Sequence, residues 1–179
     1  MGEITKERLL AQRFEELFAF LGKMEHLKNN ISSEVNAYYL NQLSNSSDLM
    51  PDAYEVLEEL SKTHKIYPVT NAVYKTQTKR INNSTVKQFF NGVYISEVIG
   101  VQKPYQGFFD FVFNDLKITD KSKVLMVGDS LIADIVGGIN YGIDTCWYNH
   151  KNADSRGVKP TYEIKSLKEL LNICKESRS

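Results

Sequence analysis

Residues 123–149 read KVLMVGDSLIADIVGGINYGIDTCWYN. An apolar run, Val124 to Val127, is followed by Gly128-Asp129-Ser130 and then by a helix-like segment carrying Asp134. Gly142 closes that segment, and a second apolar run carries Ile143, Cys146 and Trp147. The order is strand, acidic turn, helix, strand. Asp129 therefore falls at the carboxyl end of a buried strand, where open α/β sheets place their ligands. Gly137 and Gly138 are unfavourable inside a helix. Their presence predicts a helix packed very close to the sheet or to another segment.

Working outward, the downstream chain offers a polar loop (149–159), a short strand (161–164) and a last helix from Ser166 to about Cys174. Upstream, Lys103-Pro104 precedes a helix over 105–116 with Phe108, Phe109, Val112, Phe113 and Leu116 on one side. Before it come a strand at 93–95 and a loop at 96–102. Further back, residues 65–71 read as a strand ending in Thr70 and Asn71, with Pro68 unable to donate to a ladder. A helix over 74–82 follows it. Pro51 opens a helix whose buried face is Ala53, Val56, Leu57 and Leu60. The first 48 residues hold two helices, one capped by Thr5 with a stripe of Leu9, Leu10, Phe14, Leu17, Phe18 and Leu21, the other over 33–43. Strands alternating with helices predict an α/β fold, a Rossmann-like and mainly parallel sheet with helices on both faces. The leading helices alternate with nothing. They are expected to form a partial helical cap over 1–48, with the α/β core over 49–179.

Composition excludes several classes of function. The 22 basic and 22 acidic residues cancel, which argues against a nucleic-acid or membrane-surface binder. No apolar stretch approaches the roughly 20 residues of a membrane span, and no signal peptide is read at the start. Cys146 and Cys174 match no metal or redox spacing and are expected as reduced thiols, in keeping with a cytoplasmic protein. His26, His64 and His150 are dispersed and read as surface residues.

Three short stretches could carry chemistry. Asp129 and Asp134 can converge near a strand end, and a hard cation such as Mg2+ is held by one or two carboxylates plus water and phosphate oxygens. The ordinary reading is that both are acids favoured at a helix start. Thr70 and Asn71 end a strand beside a helix start, which suits a phosphate, but the same pair also makes an ordinary strand-to-helix cap. Lys103 could neutralise phosphate charge, although most lysines are simply solvated.

In combination, strand–Thr70-Asn71, then Lys103-Pro104, then strand–Gly128-Asp129-Ser130-x-x-x-Asp134 resembles the haloacid dehalogenase superfamily, which consists mostly of phosphatases. The Gly2 to Phe14 segment, Val69-Thr70-Asn71, Gln102-Lys103-Pro104, Gly128 to Asn149 and the Pro160 to Ile164 tail resemble its nucleotidase-like branch with a helical cap. By that resemblance Thr70 binds the transferring phosphoryl group, Lys103 offsets its charge and Asn71 adds a phosphate contact. Asp129 ligates Mg2+ and Asp134 orients or supports that site. The substrate class implied is a small phosphate ester such as a nucleoside monophosphate.

The family reaction also needs a carboxylate nucleophile and a second acid two residues later, carried on a central first strand with an Asp-x-Asp signature. No such motif occurs in the chain. Phe111 to Thr119 is a decoy: Lys117 stands at its second acid, and Asp115 reads as a helix-end residue. The resemblance therefore implies a family member truncated at its N-terminus, inactive alone and with weakened Mg2+ affinity. The alternative is a non-catalytic phosphate-binding or protein-interaction domain. Without the central strand its two neighbours have unpaired edges. They are expected to pair directly, to accept a segment of another copy in a homo-oligomer, or to belong to a longer protein. An intact sheet built from this chain alone would refute that expectation.

Overall fold

Alternating apolar residues build a strand only where backbone N–H groups can be donated, and Pro68 has none. In the computed structural model, which describes residues 6–23, 31–46 and 48–176, the strand expected over 65–71 is correspondingly short. Ile66 and Pro68 offer their carbonyls to Asn91 and Tyr94, but only β1 (Val69–Thr70) forms a ladder, parallel to β2 (Tyr94–Ile95). The second sheet is β3 (Leu125–Gly128), β4 (Asp144–Tyr148) and β5 (Tyr162–Ile164), all parallel in that order. The α/β class with parallel pairing is as expected, but the strands form two sheets and not one. Among the described residues β1 and β3 form no ladder with each other, so the two flanking strands do not pair directly.

The chain divides into two compact units, 1–46 and 47–179. In the first, α1 (Lys6–Phe20) and α2 (Ile31–Asn45) pack together, with Phe14 edge-on to Tyr39 at 5.9 Å between centroids. Gly22 (φ 67°) stops α1. Thr5 and the side chains of Leu9 and Leu10 lie outside the described residues, while Leu17 and Leu21 of the expected stripe are exposed.

In the second unit the strands are covered from both sides. On one face α6 (Gln106–Asp115) presents Phe108, Phe109, Val112 and Phe113 to Met126 of β3 and to Tyr141 of α7 (Gly137–Tyr141). On the other, Val56 of α3 (Ala53–Ser61) and Leu170 of α8 (Leu170–Glu176) meet Cys146 and Ile164. Burial pushes the Cys146 thiol up to about 12, so it is a protonated core group. Asp115 ends α6 and accepts from the Tyr94 hydroxyl at 2.6 Å. Burial, and then that hydrogen bond, raise the Tyr94 phenol well above its ordinary value.

Three local expectations change. α3 begins two residues after Pro51, because Asp52 sits at φ 64° and cannot be helical. Residues 96–99, read as loop, form a short helix α5 (Ser96–Ile99) that Gly100 terminates at φ 84°, a left-handed stop of the kind glycine supplies. The helix after Asp129 opens with a wide turn, Leu131–Val136, in which the Ile135 and Gly137 N–H groups reach five residues back before α7 begins. α4 (Tyr74–Asn83) agrees with the expected segment.

The paired glycines behave as their composition predicts. A Cβ on Gly138 would come within 2.6 Å of the Thr145 methyl on β4, and one on Gly137 within 3.0 Å of Phe109. Thr145 is fully buried, and its hydroxyl accepts from the Thr161 N–H at 3.2 Å, so it cannot swing aside. Gly138→Ala gains about 1 kcal/mol of helix propensity but incurs overpacking of roughly 1–3 kcal/mol. Urea denaturation should show net destabilisation. Gly107→Ala is the control: its Cβ would meet Val101 at an ordinary 3.6 Å, so that variant should be neutral or slightly stabilised.

Candidate functional site

The C-terminal ends of β1 and β3 meet at one side chain. Lys103, just before the helix α6 and followed by a cis bond to Pro104, is only 6% exposed. Its Nζ donates to the Val69 carbonyl at 2.8 Å and to Asp134 Oδ1 at 2.7 Å. Asp134 is equally buried. Its other oxygen, Oδ2, accepts from the Ser130 N–H at 3.1 Å. A buried charge is tolerable only when paired and hydrogen-bonded, and both members of this pair meet that condition.

Each neighbour of the pair has a local cause. Gly128 is required because a Cβ there would overlap the Asp134 carboxylate. The Ser130 hydroxyl accepts from the Ala133 N–H at 3.1 Å and caps the turn that carries Asp134 inward. The register Gly128↔Trp147 brings the indole beside the turn, where Nε1 donates to the Asp129 carbonyl at 3.1 Å. The Asp129 carboxylate is left at the surface beyond the strand end.

Asn71 grips the lysine from the other side. Its Nδ2 donates to the Lys103 carbonyl at 2.8 Å, and its Oδ1 accepts from the Lys103 N–H at 3.0 Å. The amide expected to touch phosphate is thus largely engaged in fixing Lys103, with one N–H left over. Thr70 Oγ1 accepts from the Ala72 N–H at 3.2 Å, a local turn contact and not a cap of α4, whose N-cap Val73 has no side-chain hydrogen bond. The Thr70 O–H remains to donate.

Hydrogen bonds thus join Asn71, Lys103 and Asp134, while Thr70 adjoins Asn71 in the chain and Asp129 adjoins Ser130, the backbone donor to Asp134. Sequence reasoning missed Trp147 as a brace on the Asp129 turn and the Val69 carbonyl as an acceptor for Lys103. The register of the β3–β4 pair would have found the first. A backbone acceptor leaves no mark in sequence.

The donor set limits what a metal would find. Among the described residues no three His, Cys, Asp or Glu side chains gather around one point. Mg2+ takes one or two carboxylates and keeps several waters; here Asp129 is exposed, whereas both oxygens of Asp134 are already hydrogen-bonded.

The model for haloacid dehalogenase-like hydrolases matches residues 3–148. The chain belongs to that family. It is 35% identical to the pyrimidine 5'-nucleotidase PynA of Streptococcus pneumoniae over 96% of this chain and 71% of that protein. It is 34% identical to the pyrimidine 5'-nucleotidase YjjG of Escherichia coli over 97% and 75%. The magnesium-bound crystal structure of the HAD-hydrolase YfnB from Bacillus subtilis superposes with a TM-score of 0.86 at 33% identity, over 97% of this chain and 74% of that one. No helix among the described residues is long and apolar enough to cross a membrane.

Removing one member of the buried pair strands the other. Lys103→Met should lower stability by about 3–5 kcal/mol. Lys103→Met combined with Asp134→Leu should be less destabilised than the sum of the single variants, because no lone charge remains. A double-mutant cycle in urea checks both statements.

Proposed function

We propose that this cluster binds the phosphate of a small ester, a nucleoside monophosphate in keeping with the pyrimidine nucleotidase relatives, together with Mg2+. The observation that carries the reading is the buried Lys103 ammonium, paired with Asp134 and held at its backbone by Asn71, at the end of the strand that carries Thr70 and beside the turn that carries exposed Asp129. Thr70 Oγ1 would donate to a phosphate oxygen, and Lys103 would face the same oxygens. Asn71 would hold the lysine in place and offer its spare N–H. Asp129 would hold the metal, and Asp134 would fix the turn that presents Asp129. Bound there, Mg2+ would supply charge neutralisation for the phosphate.

Charge decides the order of binding. Asp134 already neutralises Lys103 at 2.7 Å, so the Asp129 carboxylate leaves the cluster with one net negative charge. A phosphate oxygen about 4 Å from that carboxylate is opposed by roughly 4 kcal/mol at an effective dielectric near 20. Phosphate therefore binds only with Mg2+ present to offset that charge.

Turnover is a different matter. The chain contains no Asp-x-Asp motif, and the cluster holds no carboxylate free of both metal and ion-pair duties to attack phosphorus. Under this reading the 179 residues bind a phosphate ester without hydrolysing it, and bind Mg2+ weakly, since Asp129 is the one exposed carboxylate on offer.

Isothermal titration should show no binding of inorganic phosphate alone and clear binding with Mg2+ present. Asp129→Asn, an exposed and nearly isosteric change, should weaken the latter at least about tenfold, or roughly 1.4 kcal/mol. Mg2+-dependent release of phosphate from a nucleoside monophosphate by the purified chain, lost in Asp129→Asn, would sink the non-catalytic reading.

A further inference from the structure

Helix α4 reads YKTQTKRINN, with Lys75, Lys79 and Arg80 and no acidic residue. It lies inside a longer imbalance. Between Glu59 and Glu97 the chain has six Lys or Arg residues and no Asp or Glu. The other 16 basic residues stand against all 22 acidic ones, so the neutral total hides one positive stretch in a negative chain. By burial and 3.6-residue spacing, Thr76, Gln77, Arg80 and Ile81 form the inner side of α4. Ile81 is the one large apolar residue among them, so the helix gains little from packing. Its charges do not support it either. Lys75 sits in the first turn, where the helix dipole disfavours a cation, and Lys75 and Lys79 are like charges at i and i+4. One carboxylate, Glu97 of α5, meets that end by accepting from the Tyr74 N–H. Among the described residues no salt bridge is formed by Lys75 or Lys79.

The outer side of α4 is an open groove of about 560 Å3 lined by Tyr74, Lys75, Thr78, Lys79, Asn82 and Asn83. A second groove, of about 650 Å3, begins at the next residue, Ser84, and reaches Tyr54 of α3. The Lys87 ammonium of the second donates to Asn82 Oδ1 of the first at 2.7 Å. No acidic side chain lines either groove. We propose that this face of α4 docks an acidic helix of a separate protein. Lys75 and Lys79 stand one turn apart, about 5–6 Å between Cβ atoms. Two carboxylates at i and i+4 of a facing helix have the same spacing, so each lysine meets an opposite charge in place of a like one. Thr78 and Asn82 add hydrogen-bonding groups along the same side. Tyr74, half exposed at one end, is an aromatic of the kind that interfaces favour.

Charge also selects among anionic occupants. A polynucleotide would carry its phosphates past the groove and over a chain that is net negative everywhere else, whereas a short acidic segment confines its charge to the groove. The helix α3 of a second copy has three acids and no base, but Glu55 already pairs with Lys168 and Glu59 with Lys62. The occupant is therefore a different chain. The docking face uses no residue of the Lys103 cluster and stands apart from the phosphate reading.

Fluorescence anisotropy on the 179-residue chain provides the test. The probe is a labelled, alanine-rich peptide of about 15 residues, long enough to hold a helix, with glutamates at i, i+4 and i+8. It should bind at low salt and be released as salt screens the charges. A peptide of the same composition with its glutamates spread around the helix should bind at least about tenfold more weakly. Lys75→Gln combined with Lys79→Gln should weaken the first peptide by about tenfold or more as well. In urea that variant should be as stable as the parent or more so, because the first-turn cation and the like-charge pair are both gone. A purely structural role for these lysines would lower stability instead. Absence of binding at low salt overturns the proposal, as does equal binding of the two peptides or full binding by the double variant. Tighter binding of a single-stranded oligonucleotide of equal charge, lost in the same variant, would assign the face to nucleic acid and overturn it too.

Discussion

The buried pair of Lys103 and Asp134 fixes most of what surrounds it. Two charges out of water are tolerable only with short, complete hydrogen bonding, and here each requirement recruits another residue. Asp134 needs a neighbour without a side chain, which is Gly128, and a backbone donor, which is Ser130. Lys103 needs a second acceptor and finds it in the Val69 carbonyl. Asn71 then holds the lysine backbone at both its N–H and its carbonyl. The pair therefore dictates the sequence of three separated stretches.

That arrangement also explains the split roles of the two aspartates. They are five residues apart on one turn, but the wide opening of Leu131–Val136 carries Asp134 inward and leaves Asp129 out. Asp134 is a structural anion whose oxygens are both hydrogen-bonded. Asp129 is held through its carbonyl by Trp147, so its carboxylate is placed without being engaged. Burial separates an electrostatic scaffold from a group free to meet a ligand, although the residue type is the same.

Much of this was legible in the sequence because it rests on periodicity and on residues with narrow conformational meaning. The α6 aromatics, the strand at 124–127 and the close packing implied by Gly137-Gly138 follow from spacing and size alone. Glycine at 142 and serine at 166 mark a helix end and a helix start that the structure has at Gly142 and Ser166. Elsewhere the local signal was weaker than a backbone constraint. Asp52 adopts φ 64° and delays α3, and residues 96–99 are too few to show a helical period. The single expected sheet became two because strand pairing is a long-range property that local pattern does not encode. Asn71 was read as a ligand for phosphate, but its amide faces another backbone, and only the fold brings residues 71 and 103 together.

The site and the split sheet are mechanically one object. Lys103 takes one acceptor from β1 and the other from the turn after β3, so its hydrogen bonds span the two sheets. Each was formed at a length near 2.7–2.8 Å, and hydrogen bonds weaken steeply as they lengthen or bend. Any change in the separation of β1 and β3 must be taken up at that ammonium, because Asn71 prevents the lysine backbone from following. The strand ends and the turn that carries Asp129 are thus coupled through a single side chain. By linkage, whatever binds more tightly at one separation of the strands alters affinity at the other place, and the reverse holds to the same degree.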